Sequence, residues 1–171
     1  MKEGKDMEQI YFDHAATTPI HPEVVAEMIP VLEKTFGNPS SVHYYGRQAR
    51  KILDEARRTI AKSINASDNE IIFTSGGTEA DNLALLGVAR QNKHKGKHII
   101  TTAIEHHATL HTAEYLEKEG FEVTYLPVNE SGQISIDDLE KSLRDDTILV
   151  SIMYVNNETG VIQPIQEIGF M

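Results

Sequence analysis

The 171-residue chain has no cysteine. Disulfides, thiolate metal sites and thiol nucleophiles are therefore all excluded within it. It has no apolar run long enough to span a bilayer. Its opening residues, Met1-Lys2-Glu3-Gly4-Lys5-Asp6, lack the apolar centre of a secretory leader. It has no basic excess either: the formal charge is −10, which argues against a nucleic-acid partner and against an anionic membrane surface. The densest cationic stretch, Arg47, Arg50, Lys51, Arg57 and Arg58, is interleaved with acids and reads as the solvated face of a helix. Internal repeats, low-complexity tracts and an evident linker are also missing. These absences describe a soluble, cytoplasmic chain, long enough for one domain with one sizeable core.

Residues 1–9 read as a flexible N-terminus. A helix is predicted over 22–36, with Pro22 in its first turn. Val24, Val25, Met28, Ile29 and Leu32 form its apolar face, and Pro30 predicts a kink or an early break. Gly37-Asn38-Pro39-Ser40-Ser41 reads as a loop. A long helix follows over 46–64, with Ala49, Ile52, Leu53, Ala56, Ile60 and Ile64 at helical spacing. Beyond Asn65 the pattern alternates: strand 70–74, helix 78–91, strand 97–102, helix 107–119, strand 121–126, helix 135–143, strand 147–154. Runs such as Ile99-Ile100-Thr101-Thr102 and Ile148 to Met153 suit strands covered on both faces. The alternation predicts an α/β fold with a mainly parallel sheet flanked by helices. After Pro164 another helix begins and the chain stops at Met171, which suggests an incomplete domain.

Three clusters fall at predicted strand ends, where such sheets bind ligands. The first is Ser75-Gly76-Gly77-Thr78. Paired glycines let backbone approach a ligand closely, and the following helix offers free N–H groups and a positive dipole end to a phosphate. Thr78 adds a hydroxyl donor. It is neither the spaced-glycine dinucleotide fingerprint nor a P-loop, and the same residues would also serve as a tight turn before an ordinary helix. The second cluster is Glu105-His106-His107-Ala108. The third, Asn156-Asn157-Glu158-Thr159-Gly160, is equally a turn by composition. A phosphate cradle, an aromatic ring and a carboxamide converging would suit a planar, phosphorylated cofactor. His107 and His111 stand four apart on one helix face, but no third ligand has useful spacing and no metal is assigned. His43, His94 and His98 are expected at the surface. No nucleophile elbow supports a serine hydrolase.

Five motifs in order carry a resemblance: Tyr11-Phe12-Asp13-His14-Ala15-Ala16-Thr17-Thr18-Pro19, Gly37 to His43, Thr74 to Asn82, Glu105-His106, and Val155 to Gly160. Together they closely resemble the N-terminal part of cysteine desulfurases of the NifS/IscS type, pyridoxal-phosphate enzymes of the class V aminotransferase group. The resemblance spans residues 8–168. It implies a fold type I large domain over 10–168, interrupted before the Schiff-base lysine. Pyridoxal 5'-phosphate is the implied cofactor. Gly77 and Thr78 match the residues that bind its phosphate. His106 matches the catalytic histidine that stacks on the ring and assists proton transfer. Asn157 matches the residue that hydrogen-bonds the ring hydroxyl, and Asn38 to Ser41 match a loop near the substrate and subunit boundary.

The family reaction takes sulfur from L-cysteine, leaving L-alanine and an enzyme-bound persulfide for iron–sulfur or thio-modification pathways. The resemblance also implies what this chain does not contain. The Ser-x-His-Lys lysine, the aspartate facing the pyridine nitrogen, the arginine for the substrate carboxylate and the sulfur-accepting cysteine all match no residue here. The expectation is a chain inactive alone, with weak and non-covalent cofactor binding. Alternatives are a half-subunit that docks on a full-length desulfurase, since the family forms homodimers, or a piece of a selenocysteine lyase or aminotransferase of the same group.

Overall fold

The computed structural model describes residues 9–171; the expected lead-in over 1–9 lies outside these apart from Gln9. The chain divides after Phe73 into two compact units.

Among the described residues the first unit holds two α-helices. Helix α1 spans Pro22–Lys34 and α2 spans Tyr44–Ser63, followed by a 3₁₀ turn at Asp68–Glu70. Helix α1 continues through Pro30, so the expected early break does not occur. Proline in mid-helix removes one backbone bond, and the bonds on either side carry the helix past it to a C-terminal Thr35 N–H that donates to Val31. None of its residues is buried. In α2 only Gly46, Ala49 and Ala61 are buried; Ile52, Ile60 and Ile64 of the expected apolar face remain exposed. The Asn38–Ser41 loop is a tight turn, closed by Ser41 N–H to Asn38 O at 2.9 Å. It packs so closely on the start of α2 that a Cβ at Gly46 would lie 2.2 Å from Ser41 O.

The segment over 71–74 is extended but pairs with no strand, which corrects the strand expected at 70–74. A β-branched run becomes a strand only when a neighbour takes its backbone groups, and among the described residues no strand pairing to 71–74 is formed. Ile72 is 68% exposed. Arg57 braces the segment by donating to Ile71 O and placing its guanidinium 4.9 Å from the Phe73 ring centre.

The second unit is a three-layer α/β arrangement. Its order is α3 (Gly77–Asn92), β1 (His98–Thr102), α4 (His107–Lys118), β2 (Glu122–Leu126), α5 (Ile136–Ser142), β3 (Thr147–Val150) and α6 (Ile165–Ile168). The sheet is wholly parallel, in the order β2-β1-β3. Successive side chains of a strand point to opposite faces, and β1 shows the result. Ile99 packs with Ala89, Leu116 and Phe121 on the α3/α4 side. Ile100 packs with Leu126, Ile134 and Leu139 on the α5 side. All of β1 is buried. Strand β3 is half-buried and ends at Val150, four residues earlier than expected; past Ser151 the Met153 N–H donates to the Glu105 carboxylate instead of continuing the ladder.

His98 is the clearest departure from expectation. It is 1% exposed, since the first residue of a central strand lies between both neighbours. Its ring nitrogens meet the hydroxyls of Thr147 at 2.7 Å and Thr124 at 2.8 Å. Burial, then the nearby Arg144 guanidinium, pushes its pKa below the ordinary 6.5. A depressed folded-state pKa gives stability that is present above the unfolded value and lost as pH falls. His98→Gln, which cannot titrate, should therefore gain stability relative to the parent as pH drops from about 7 to about 5. Urea melts at a series of pH values read this; parallel curves would remove His98 as the cause.

Candidate functional site

The candidate site residues Gly77, Thr78, His106 and Asn157 all belong to the second unit, the first three at helix starts and Asn157 in the loop after β3. Helices α1, α2, α4 and α5 each have a side-chain cap, from His21, His43, His106 and Ser135. Helix α3 does not: its N-cap is Gly76, with no side-chain acceptor. The N–H groups of Gly77, Thr78 and Glu79 consequently find no acceptor among the described residues. Glu79 instead turns back, its carboxylate accepting from the Ser75 hydroxyl at 2.6 Å and Ser75 N–H at 2.7 Å. Those two bonds hold its pKa below the usual range. A Cβ at Gly76 or Gly77 would meet nothing within 4 Å. Packing inside the protein therefore does not require glycine there. The space above the turn is open, and three unspent donors with a positive dipole end face it.

His106 is the N-cap of α4. Its Nδ1 accepts from Ala108 N–H at 3.1 Å. The neutral ring must then carry its proton on Nε2, so its free edge is a donor. His106 lines two adjoining hollows. One, of about 440 Å³, is shared with Thr78, Asn82, His107, His111 and Thr112. The other, of about 360 Å³, is shared with Glu105, Asn156, Asn157 and Thr159 among others. Thr78 lines the first of these hollows and Asn157 the second. Gly77 adjoins Thr78 at the first turn of α3. The wall between α3 and α4 is fixed by Thr112, whose hydroxyl is 2.8 Å from Asn82 Oδ1 and 2.7 Å from Ala108 O.

The third cluster divides its labour. Asn157 is exposed and makes no side-chain hydrogen bond among the described residues. Asn156 is 8% exposed and organises the loop. Its Oδ1 accepts from Glu158 N–H, Thr159 N–H and the Thr159 hydroxyl at 2.9–3.1 Å, while Nδ2 donates to Ile104 O at 3.0 Å. Glu105 is equally buried. Its Oε1 accepts from the Thr102 hydroxyl at 3.0 Å and Met153 N–H at 2.7 Å. Burial pushes its pKa up, against the pull of those two donors. Sequence reasoning treated both residues only as members of a motif. Asn156 did carry a signal: an asparagine two and three residues before Glu158 and Thr159 is placed for an Asx turn. His107 and His111 stack with ring centres 5.3 Å apart. Among the described residues no group of three or more His, Asp or Glu converges for a metal, and no helix is long and apolar enough to cross a membrane.

Comparison with known proteins shows the family. Residues 10–171 match the family described as aminotransferase class V. A putative cysteine desulfurase IscS 1 of Bacillus subtilis is 59% identical over 163 residues, covering 95% of this chain and 43% of the relative. The cysteine desulfurase IscS of Methanosarcina thermophila is 55% identical, covering 94% of this chain and 40% of the relative. Among solved structures, a NifS-like protein superposes with a TM-score of 0.91 at 43% identity, over 94% of this chain and 44% of its own. A structure described as SspA in complex with cysteine gives 0.88 at 42% identity, over 94% and 46%.

The fold is that of the fold type I pyridoxal-phosphate enzymes, with a parallel sheet flanked by helices. The chain belongs to the aminotransferase class V family, which is pyridoxal-phosphate dependent, and its close relatives are cysteine desulfurases. It spans less than half the length of the relatives it matches.

The two asparagines should separate by experiment. Asn156→Ala removes the side chain that organises the loop and its hydrogen bonds, and should cost about 1–3 kcal/mol in a denaturant melt. Asn157→Ala should change stability by less than about 0.5 kcal/mol. Equal losses would refute the assignment of the buried role to Asn156.

Proposed function

We propose that this chain carries the phosphate and ring contacts of a pyridoxal 5'-phosphate site of a cytoplasmic cysteine desulfurase. The observation that carries the reading is the uncapped start of α3, which opens beside the hollow that His106 lines. The donor set fits the cofactor. Gly77 and Thr78 N–H groups and the Thr78 hydroxyl would hold the phosphate, a dianion suited to a helix N-terminus. The His106 ring would lie against the pyridine ring. Asn157, whose amide is free, would hydrogen-bond the ring hydroxyl.

When bound, the cofactor supplies an electron sink for the carbon bearing the substrate amine. The residues here bind and orient. With Nδ1 committed to Ala108, His106 in its neutral form offers a proton from Nε2, and taking one up at Nδ1 would cost α4 its cap. No lysine lines either hollow, and the chain has no thiol to receive sulfur. The proposal is accordingly weak, non-covalent cofactor binding, with L-cysteine as the substrate of the family chemistry and no turnover by this polypeptide alone.

Titration of the pure chain with pyridoxal 5'-phosphate, followed by cofactor absorbance, tests this. Saturable binding is expected, weakened about three- to tenfold by Thr78→Ala, with no sulfide released from L-cysteine. Absence of binding, or binding indifferent to Thr78, would overturn the site; sulfide release would overturn the inactivity.

A half-subunit that docks on a full-length desulfurase has an observation in its own favour. Val24, Met28, Val31 and Leu32 make an exposed apolar stripe along α1, of the kind that marks contact surfaces. Co-purification with an intact desulfurase, lost in Met28→Glu, would support it. A chain that sediments independently when mixed with that enzyme would exclude it.

A further inference from the structure

The strand that ends at Thr102 and the strand that ends at Val150 each release a loop on the same side of the sheet. The first, over 103–106, delivers His106. The second, over 151–160, delivers Asn157. Past the ladder bond from Ser151 N–H to Ile100 O, two hydrogen bonds join these loops. One runs from Met153 N–H to Glu105 Oε1 at 2.7 Å. The other runs from Asn156 Nδ2 to Ile104 O at 3.0 Å. Glu105 takes the Thr102 hydroxyl on the same oxygen, so one carboxylate holds the end of β1, the neighbour of His106 and the backbone after β3.

We propose that Glu105 is a positioning residue: its carboxylate fastens the His106 loop to the Asn157 loop and so sets the spacing of the two side chains across a planar ligand. The inference rests on the reading of those residues as ring contacts.

A buried carboxylate is an expensive way to tie a loop. Taking the group from water costs free energy unless donors replace the lost hydration, and here burial outweighs the two donors in its effect on protonation. Asp81, at the start of α3, adds a like charge that acts in the same direction. A side chain that served the fold alone would be replaceable by an apolar one of similar volume. What an apolar side chain could not do is accept Met153 N–H. That contact determines where the second loop leaves the sheet, and a ligand gripped from two loops is sensitive to displacements of about 1 Å. His106 is held from its other side by its cap on α4. The Glu105 tie is what refers that fixed ring to Asn157.

The phosphate end has no such dependence. Its donors lie on α3, which neither loop bond touches. Loss of Glu105 should therefore separate the two ends of the ligand, whereas general loosening of the fold would weaken both.

The test uses the whole 171-residue chain as Glu105→Ala and Glu105→Gln, with Thr78→Ala as the phosphate-end control. Glu105→Gln keeps an acceptor oxygen and covers the case in which the alanine variant does not fold. In Glu105→Ala the Met153 amide should exchange about tenfold faster by NMR. Affinity for pyridoxal 5'-phosphate should fall about tenfold, while binding of inorganic phosphate, followed by ³¹P line broadening, is unchanged. Glu105→Gln should restore both readouts to within about threefold of the parent. Unchanged Met153 exchange in the alanine variant would overturn the proposal, whether or not any cofactor binds. So would a glutamine variant as impaired as the alanine one, or equal losses for cofactor and phosphate. If Thr78→Ala weakens cofactor binding and Glu105→Ala does not, Glu105 has no positioning role and the cofactor reading stands. If the parent binds no cofactor at all, that reading fails, and Met153 exchange alone decides whether Glu105 ties the loops.

Discussion

Strand β1 has a hydrogen-bonded neighbour on both sides, and the rest of the second unit takes its position from that fact. The ladder to β2 runs in unbroken register from His98 opposite Glu122 to Thr102 opposite Leu126. The ladder to β3 begins with a shift between His98 and Ile99. With β1 paired laterally on both sides, its side chains face up or down. Ile99 and Ile100 then seed a core on each face. Parallel pairing also puts the exits of β1 and β3 at one end of the sheet, which is why loops 50 residues apart in sequence can share a site.

Polar burial reinforces this frame. His98 bonds the hydroxyls of both flanking strands at the entry end of the sheet. Glu105 and Asn156 bind the two exit loops at the other. Gln163, also buried, accepts from Ile134 N–H and donates to Gly132 O, joining the final segment to the turn before α5. Each of these groups is satisfied in at least two directions, as burial demands. They fix orientation, whereas the hydrophobic clusters supply most of the stabilisation.

The site itself is marked by groups left unsatisfied. Helices α1, α2, α4 and α5 start on side-chain caps, three of them histidines; at α3 the first-turn donors are bare and a Cβ at either glycine would meet nothing. Bare donors at an exposed turn are solvated and cost little. They become an asset when an anion replaces the water. At His106 one ring nitrogen serves the fold by capping α4, and the other makes no hydrogen bond among the described residues.

Much of this was legible without coordinates. Periodicity located α2 to α5 and β1 to β3 to within a few residues, because burial on one face or both leaves a repeat in the chain. The motif order was enough to suggest the family; Gly77, Thr78 and His106 stand at helix starts, whereas Asn157 lies in the loop beyond β3. The extended run over 71–74 was misread as a strand, and His98 as a surface residue, for a common reason. Whether a residue is paired or buried depends on what lies beside it, and neighbours in a sheet come from distant sequence. The same limit hid Glu105 and Asn156, whose roles are defined by partners 48 and 52 residues away. The sequence by itself determined the elements, the chemistry offered at their ends and, by the absence of cysteine, the chemistry withheld. Only the tertiary structure decided which polar groups were buried and to what they were tied, because the pairing of β1 with β2 and β3 brings those partners within hydrogen-bonding reach.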